Sequence, residues 1–178
     1  MLLHLVRHGE STWNVEGRLQ GQTPHPELTA RGRAQADAAG RELEASGIVR
    51  IWTSDLTRAA QTATIIASRV PVEVRPTELL REQGLGSLEG RLTRELHPEP
   101  TPEGRHVSEV RWGGGESLED VHRRLAQFVA MLDADGDDVA LVSHGDTLRV
   151  LLALLDGRSH REVRWAPIAN GAVLHVER

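Results

Sequence analysis

Apolar positions recur along the chain with two periods, one suited to strands and one to helices. Residues 2–6 form a short apolar run interrupted only by His4 and stop at the polar Arg7-His8-Gly9, the pattern of a buried strand ending in a turn. Residues 29–46 are mostly Ala, Arg, Glu and Gln. Ala36, Ala39 and Leu43 share one face there, with Thr29 as N-cap and Gly47 as stop, so a helix is predicted. Residues 49–53 predict a second strand and 56–69 a second helix, whose apolar face carries Ala59, Ala63, Ile66 and Val70. Pro71 ends that helix, and 72–74 reads as a short third strand. Regularity lapses over 76–115, where Pro76, Pro98, Pro100, Pro102 and repeated glycines predict loops with at most one short helix, a lid or binding segment. Ser117 then opens an amphipathic helix, with Ser117 and Asp120 as capping box and Leu118, Val121, Leu125, Phe128, Val129 and Leu132 as its stripe. Residues 139–142 predict a strand ending at Ser143-His144-Gly145. An apolar helix over 147–155, capped by Asp146, and a last strand over 172–176 complete the pattern.

Alternating strands and helices in 178 residues predict one α/β domain over residues 1–178: three layers, α/β/α, with a mostly parallel sheet and helices on both faces. In such sheets ligands bind beyond the carboxyl ends of the strands. Arg7 and His8 follow the first strand, Arg58 opens the helix after the second, Glu82 lies in the loop after the third, and His144 follows the fourth. All five are therefore expected at one edge.

Composition narrows the chemistry chiefly by what is missing. Cysteine and tyrosine are absent, and no lysine occurs, so all 21 basic side chains are arginine. That removes thiol and lysine nucleophiles, thiolate metal sites, a Walker-type phosphate loop and a pyridoxal Schiff base. Any anion held by a charged side chain meets Arg or His. A net charge of −5 argues against sequence-independent nucleic-acid binding, and no apolar run is long enough to span a bilayer. Met1 leads straight into the first strand without a leader-like segment, so a cytoplasmic location is expected.

Two arginines, two histidines and one carboxylate at one crevice suit a phosphoryl group: guanidinium forks match its geometry, and the helix starts after Asp55 and Gly145 add N–H groups and a favourable dipole. Neutral His8 is then the natural nucleophile, forming a phosphohistidine. Glu82 is the carboxylic acid placed to protonate the leaving alkoxide if partial burial favours its protonated form.

These residues carry a resemblance. Arg7-His8-Gly9-Glu10-Ser11 with Asn14 and Gly17-Arg18, then Ser54-Asp55-Leu56-Thr57-Arg58-Ala59 through Thr62-Ala63, then Leu80-Arg81-Glu82 through Gly86, Glu89 and Gly90, and finally Ser143-His144-Gly145, stand in order over almost the whole chain. The sequence resembles the histidine phosphatase superfamily, also called the phosphoglycerate mutase-like family. The resemblance implies that His8 is phosphorylated and Glu82 donates the proton. It also implies that Arg7, Arg58 and His144 surround the phosphoryl oxygens, with Asn14, Gln20, Gly21 and Gly145 as further phosphate contacts and Gly9 allowing close backbone approach. It implies no cofactor and no metal, and a small phosphorylated metabolite as partner. The segment 22–29 lacks the aspartate usual before Leu28-Thr29, and Leu88 stands where an aromatic is common. The mutase branch resembles a longer chain with Ser or Thr before the first-loop glycine and a Tyr and a Lys at the substrate. Here the loop reads Gln20-Gly21 and neither residue type occurs, which favours a phosphomonoesterase over a phosphoglycerate mutase.

Other assignments are weighed beside these. His4 reads as a satisfied core histidine, and His25, His97, His106, His122, His160 and His175 as surface or structural residues, although His106 lies in the lid segment. Gly84-Leu85-Gly86 is not a dinucleotide fingerprint, because Glu89 stands where the third glycine belongs. A metal site of His8, His144, Glu82 and Asp146 would set a dication beside two arginines. A non-catalytic phosphate-binding module would have no use for His8 and Glu82 together. Monomer and homodimer are both compatible with the sequence.

Overall fold

The computed structural model of the chain describes residues 1–97, 99–133 and 136–178. A five-stranded sheet is built from β1 (Leu2–Arg7), β2 (Arg50–Ser54), β3 (Glu73–Thr77), β4 (Val139–Ser143) and β5 (Val173–Glu177), in the order β3-β2-β4-β1-β5. The pairs β1–β4, β2–β4 and β2–β3 are parallel, and β5 closes one edge antiparallel to β1. Alternation along each strand sends side chains to two separate cores. Leu3, Leu5, Val139 and Leu141 pack with α4 (Leu118–Asp133) and α5 (Gly145–Leu155) on one face. On the other, Val6, Ile51, Ala140 and Val142 pack with α2 (Ala30–Leu43) and α3 (Thr57–Ala67). The predicted three-layer α/β arrangement is thus the observed one.

The capping box that opens α4 forms as the sequence predicts, Ser117 Oγ accepting the Asp120 amide and the Asp120 carboxylate accepting the Ser117 amide. Among the described residues, no helix is long and apolar enough to cross a membrane.

Several local expectations need correction. A five-residue helix, α1 (Thr12–Glu16), follows β1. It is held by a reciprocal Ser11–Asn14 capping box and ended by Gly17 at φ 68°, and one turn is too short to show a hydrophobic period. Strand β3 runs through Pro76 to Thr77, which an edge strand tolerates because one side of its backbone has no ladder to complete. The loop stretch that follows holds five 3-10 turns, from Glu78–Leu80 to Trp112–Gly114, where at most one short helix was expected. Asp146 does not cap α5. The N-cap is His144, and the amides of Asp146 and Thr147 donate instead to the carboxylate of Glu82. His4 is only half satisfied: the β1–β5 register sets it opposite His175, so their Nδ1 atoms share a hydrogen bond at 2.8 Å while its buried Nε2 has no partner.

The larger core turns on Phe128, fully buried and edge-on to Trp52 with ring centroids 5.7 Å apart. Phe128→Ala is expected to cost about 3–5 kcal/mol, through lost transfer free energy and the void left behind. Urea unfolding measures it, and a loss below about 1 kcal/mol would contradict this account of the core.

Candidate active site

Parallel pairing brings three strand ends to one edge: Arg7 stands opposite Ser143, and Thr53 opposite Val142, so His8, Ser54 and His144 all emerge there. The backbone of His8 is fixed on both sides. Its amide donates to Ser143 O at 2.9 Å, and its carbonyl accepts the side-chain amide of Asn170 at 3.0 Å. The ring is 2% exposed, and its Nδ1 lies 2.6 Å from Gly9 O, an acceptor only, so Nδ1 carries the proton and Nε2 keeps its lone pair. Burial, with the charge of Arg58 next, holds the His8 imidazole well below its ordinary pKa. It is a neutral base in a cationic setting.

Gly9 is required for reasons of space. A Cβ there would lie 2.2 Å from Gly32 O, and one on Gly32 would lie 2.0 Å from Glu10 O, so the loop after β1 rests backbone to backbone on the start of α2. Thr29 fastens the same junction by accepting the Gly32 amide and donating to the Glu10 carboxylate.

Arg58 lies in the first turn of α3 with no solvent exposure. Its terminal nitrogens donate to Thr23 O at 3.0 Å and Gly21 O at 2.8 Å, and its Nε is buried without a partner. Burial lowers its pKa to about 10, which still leaves it charged at neutral pH. Arg7 lies over the first turn of α5, its Nε 3.6 Å from where a Gly145 Cβ would stand. It donates to Ile168 O, and its Nε is likewise buried and unpartnered. His144 is fully buried, its ring centroid 5.1 Å from that of His8. Its Nε2 meets Ser54 Oγ at 2.9 Å, and its Nδ1 is the third buried polar atom without a partner. Ser54 Oγ also accepts the Leu56 amide; when its own proton goes to Nε2, the His144 ring proton stands on Nδ1. Burial and the charge of Arg58 hold this imidazole neutral too. Three buried nitrogens without partners, Nε of Arg7, Nε of Arg58 and Nδ1 of His144, thus belong to residues gathered at the sheet edge that carries His8, whose imidazole feels the charge of both arginines.

Glu82 sits at the N-terminus of α5. One of its oxygens accepts the Gln83 and Thr147 amides and the Thr147 hydroxyl, and the other accepts the Asp146 amide. Its charge acts on both Arg7 and Arg58, so it lies within electrostatic range of the two guanidinium groups. Asp146 beside it pairs with Arg149 at 2.7 Å, and burial, with the negative charge of Glu82 next, raises its pKa. Among the described residues, no group of three or more His, Cys, Asp or Glu is placed to hold a metal ion.

The remaining sequence candidates form a ring around this centre. Asn14 Oδ1 accepts from Ser11 and, at 3.4 Å, from Asn170, the residue that holds the His8 carbonyl. Gln20 Oε1 accepts from Ser11 Oγ at 2.7 Å, Gly21 gives its carbonyl to Arg58, and Gly145 opens α5. Several contributors went unread in the sequence. Asn170 left a faint trace, since Asn170-Gly171 before the last strand is a turn dipeptide. The Glu116–Arg124 pair left none: Arg124 donates to Leu79 O and Glu82 O while Glu116 accepts the Gly84 amide, so a helix of ordinary appearance pins the loop that carries Glu82.

Comparison with known proteins identifies the family. Residues 3–178 match the family described as histidine phosphatase superfamily (branch 1), and the chain belongs to that superfamily. A relative from Yersinia enterocolitica named "Probable phosphoglycerate mutase GpmB" is 37% identical over 179 residues, covering 97% of this chain and 83% of its own. Among solved structures, a mycobacterial glucosyl-3-phosphoglycerate phosphatase in complex with VO3 superposes with a TM-score of 0.88 at 30% identity, covering 99% of this chain and 90% of that one. A structure described as mycobacterial hydrolase 1 does so with a TM-score of 0.86 at 31% identity, covering 98% and 87%.

The buried imidazoles make stability depend on pH. His4, His8, His144 and His160 have pKa values below the ordinary 6.5, so above that pH they are neutral in both the folded and the unfolded chain and add no pH dependence. As pH falls through 6.5 the unfolded chain takes up protons that the native chain refuses, and stability drops by about 1.4 kcal/mol per pH unit for each proton not matched. Asp146, raised, works in the opposite sense but is one group against four. Urea midpoints are therefore expected to be lower at pH 5.5 than at pH 7.5. An unchanged or higher midpoint at the lower pH would refute the assignment of neutral buried histidines.

Proposed function

We propose that the chain is a metal-independent phosphomonoesterase acting on a small phosphorylated metabolite through a phosphohistidine on His8. The observation that carries this reading is the set of three buried N–H groups without partners, on Arg7, Arg58 and His144, around a ring whose Nδ1 is hydrogen-bonded to Gly9 O. The phosphoryl oxygens fill those vacancies, and His8 Nε2 attacks phosphorus in line. Glu82 takes up a proton as the dianionic ester binds beside it, and as the P–O bond breaks it gives that proton to the leaving oxygen, releasing an alcohol and leaving N-phosphorylated His8. In the second half-reaction Glu82 takes a proton from water, the resulting hydroxide attacks phosphorus, and inorganic phosphate leaves with His8 restored. The arginines and His144 stabilise the charge on the transferring group in both steps, without solvent reorganisation because they are already desolvated. Asn14, Gln20, Gly21 and Gly145 are assigned to phosphate binding around this centre.

Phosphoglycerate mutase is the second reading, favoured by the name of the 37% identical relative. The absence of Lys and Tyr beside the acid, and the solved neighbours described as phosphatase and hydrolase, support hydrolysis instead. Interconversion of 3- and 2-phosphoglycerate faster than release of inorganic phosphate would reverse that preference.

During turnover of a phosphorus-labelled ester, acid-labile and base-stable label is expected on His8, and His8→Ala is expected to lower kcat/KM by about a thousandfold or more. Glu82→Gln is expected to lower it by about 10²–10⁴, most for the most basic leaving groups. Label on a carboxylate, or full activity without His8, would sink the mechanism.

A further inference from the structure

Beside Glu82 lies a cavity of about 530 Å³, within the range of about 300–1,000 Å³ usual for small-molecule sites, and the mechanism above makes no use of it. Gln83, the residue after the proposed acid, lines it together with Trp112, Trp165, Val107, His106 and His160. The far wall is also tied to the reacting centre. The Trp165 ring lies 5.7 Å from the Arg149 guanidinium, Arg149 pairs with Asp146, and the Asp146 amide donates to Glu82. Trp165 and Val107 are more than half exposed, an unusual placement for large apolar groups unless something covers them.

The polar lining of the cavity is built around two imidazoles joined by a hydroxyl. Ser108 Oγ bridges Nδ1 of His106 at 2.7 Å and Nδ1 of His160 at 2.8 Å, and among the described residues no hydrogen bond engages either Nε2. Burial lowers the pKa of His160, so its ring is uncharged at neutral pH. The cation in the wall, Arg161, is engaged by the Glu109 carboxylate through two nitrogens. A second anionic group entering here would be desolvated without a free counter-charge, whereas a flat ring has two indoles to lie against and imidazole nitrogens for its polar edge.

We infer that this cavity is the leaving-group subsite, and that it takes the neutral, flat-ringed alcohol half of a phosphomonoester in preference to a short carboxylate. The inference rests on the phosphatase reading. It makes Trp112 and Trp165 specificity-determining residues, and it disfavours phosphoglycerates as substrates, because the cation their carboxylate would meet in the wall, Arg161, is already paired with Glu109.

The test compares 2-(2-naphthyl)ethyl phosphate, ethyl phosphate and 3-phosphoglycerate, all esters of alkyl alcohols. The naphthyl ester is expected to have a kcat/KM at least about tenfold above the other two, with the free naphthylethanol a competitive inhibitor. The ratio of naphthyl to ethyl ester is expected to fall by about tenfold in Trp112→Ala and in Trp165→Ala, and to recover largely in Trp165→Phe. Trp165 is exposed, so its replacement does not endanger the fold. Equal rates on all three esters, or a ratio that neither alanine variant moves, would overturn the inference and leave the phosphatase reading standing. Absence of turnover on every ester would overturn both.

Discussion

A guanidinium with no exposure to solvent is the constraint around which this molecule is organised. Arg58 is charged, fully buried and held by carbonyl oxygens alone, with no carboxylate bonded to it. Removing such a group from water is costly, and neutral acceptors offset only part of the cost. The rest of the site responds to that imbalance. The imidazoles of His8 and His144 stay neutral because they are buried and, next, because Arg58 opposes their protonation, and the carboxylates in range, Glu82 and Glu89, stand back from direct contact. The Nε of Arg58, like that of Arg7 and Nδ1 of His144, is a buried nitrogen that no hydrogen bond among the described residues reaches.

That arrangement requires loops to behave as rigidly as strands, and carboxylates make them so. Glu89 accepts the amides of Gln22 and Leu85 and the hydroxyl of Thr23, while Arg58 takes the carbonyls of Gly21 and Thr23. One short loop is thus held by its donors from one side and by its acceptors from the other. Gly21, at φ 46° and with Glu89 so near that a Cβ would overlap it, is the position where only glycine serves. Glu116 does the same for the chain around Glu82, accepting the Gly84 amide, the Gln22 side chain and Arg124. Such pairs are weak on an open surface. Here they are half-buried and share partners, so each fixes the geometry of the next.

The sequence revealed the sheet and the reacting residues for the same reason. The central strands β1 and β4 are short apolar runs buried on both faces and bounded by polar residues, and the fold rule for parallel sheets places His8, Arg58, Glu82 and His144 at one edge without knowledge of any contact. Asp146 was misread because local capping logic cannot anticipate a carboxylate 64 residues away, at Glu82, occupying the start of α5. The Glu116–Arg124 pair was illegible for a related reason: its meaning lies in which backbone atoms it meets. Likewise the cavity beneath Trp112 and Trp165 joins residues from 83 to 165, of which His106 and Trp112 are marked in the chain only by lying in the lid segment. Patterns of burial are written locally, whereas hydrogen-bond partnerships and concavities exist only after folding.

The backbone contact between Gly9 and Gly32 has a consequence for how such a chain can change over time. Because each glycine meets the other segment's carbonyl group, neither position admits a side chain unless α2 moves away from the sheet. The loop that would have to yield carries His8 one residue earlier. Drift at Gly32, a helical position far from His8 in sequence, is therefore read out as displacement of His8. The distance between sheet and helix is thereby tied to the placement of the His8 backbone. The fold is thus least tolerant of substitution where two segments have no side chains to rearrange.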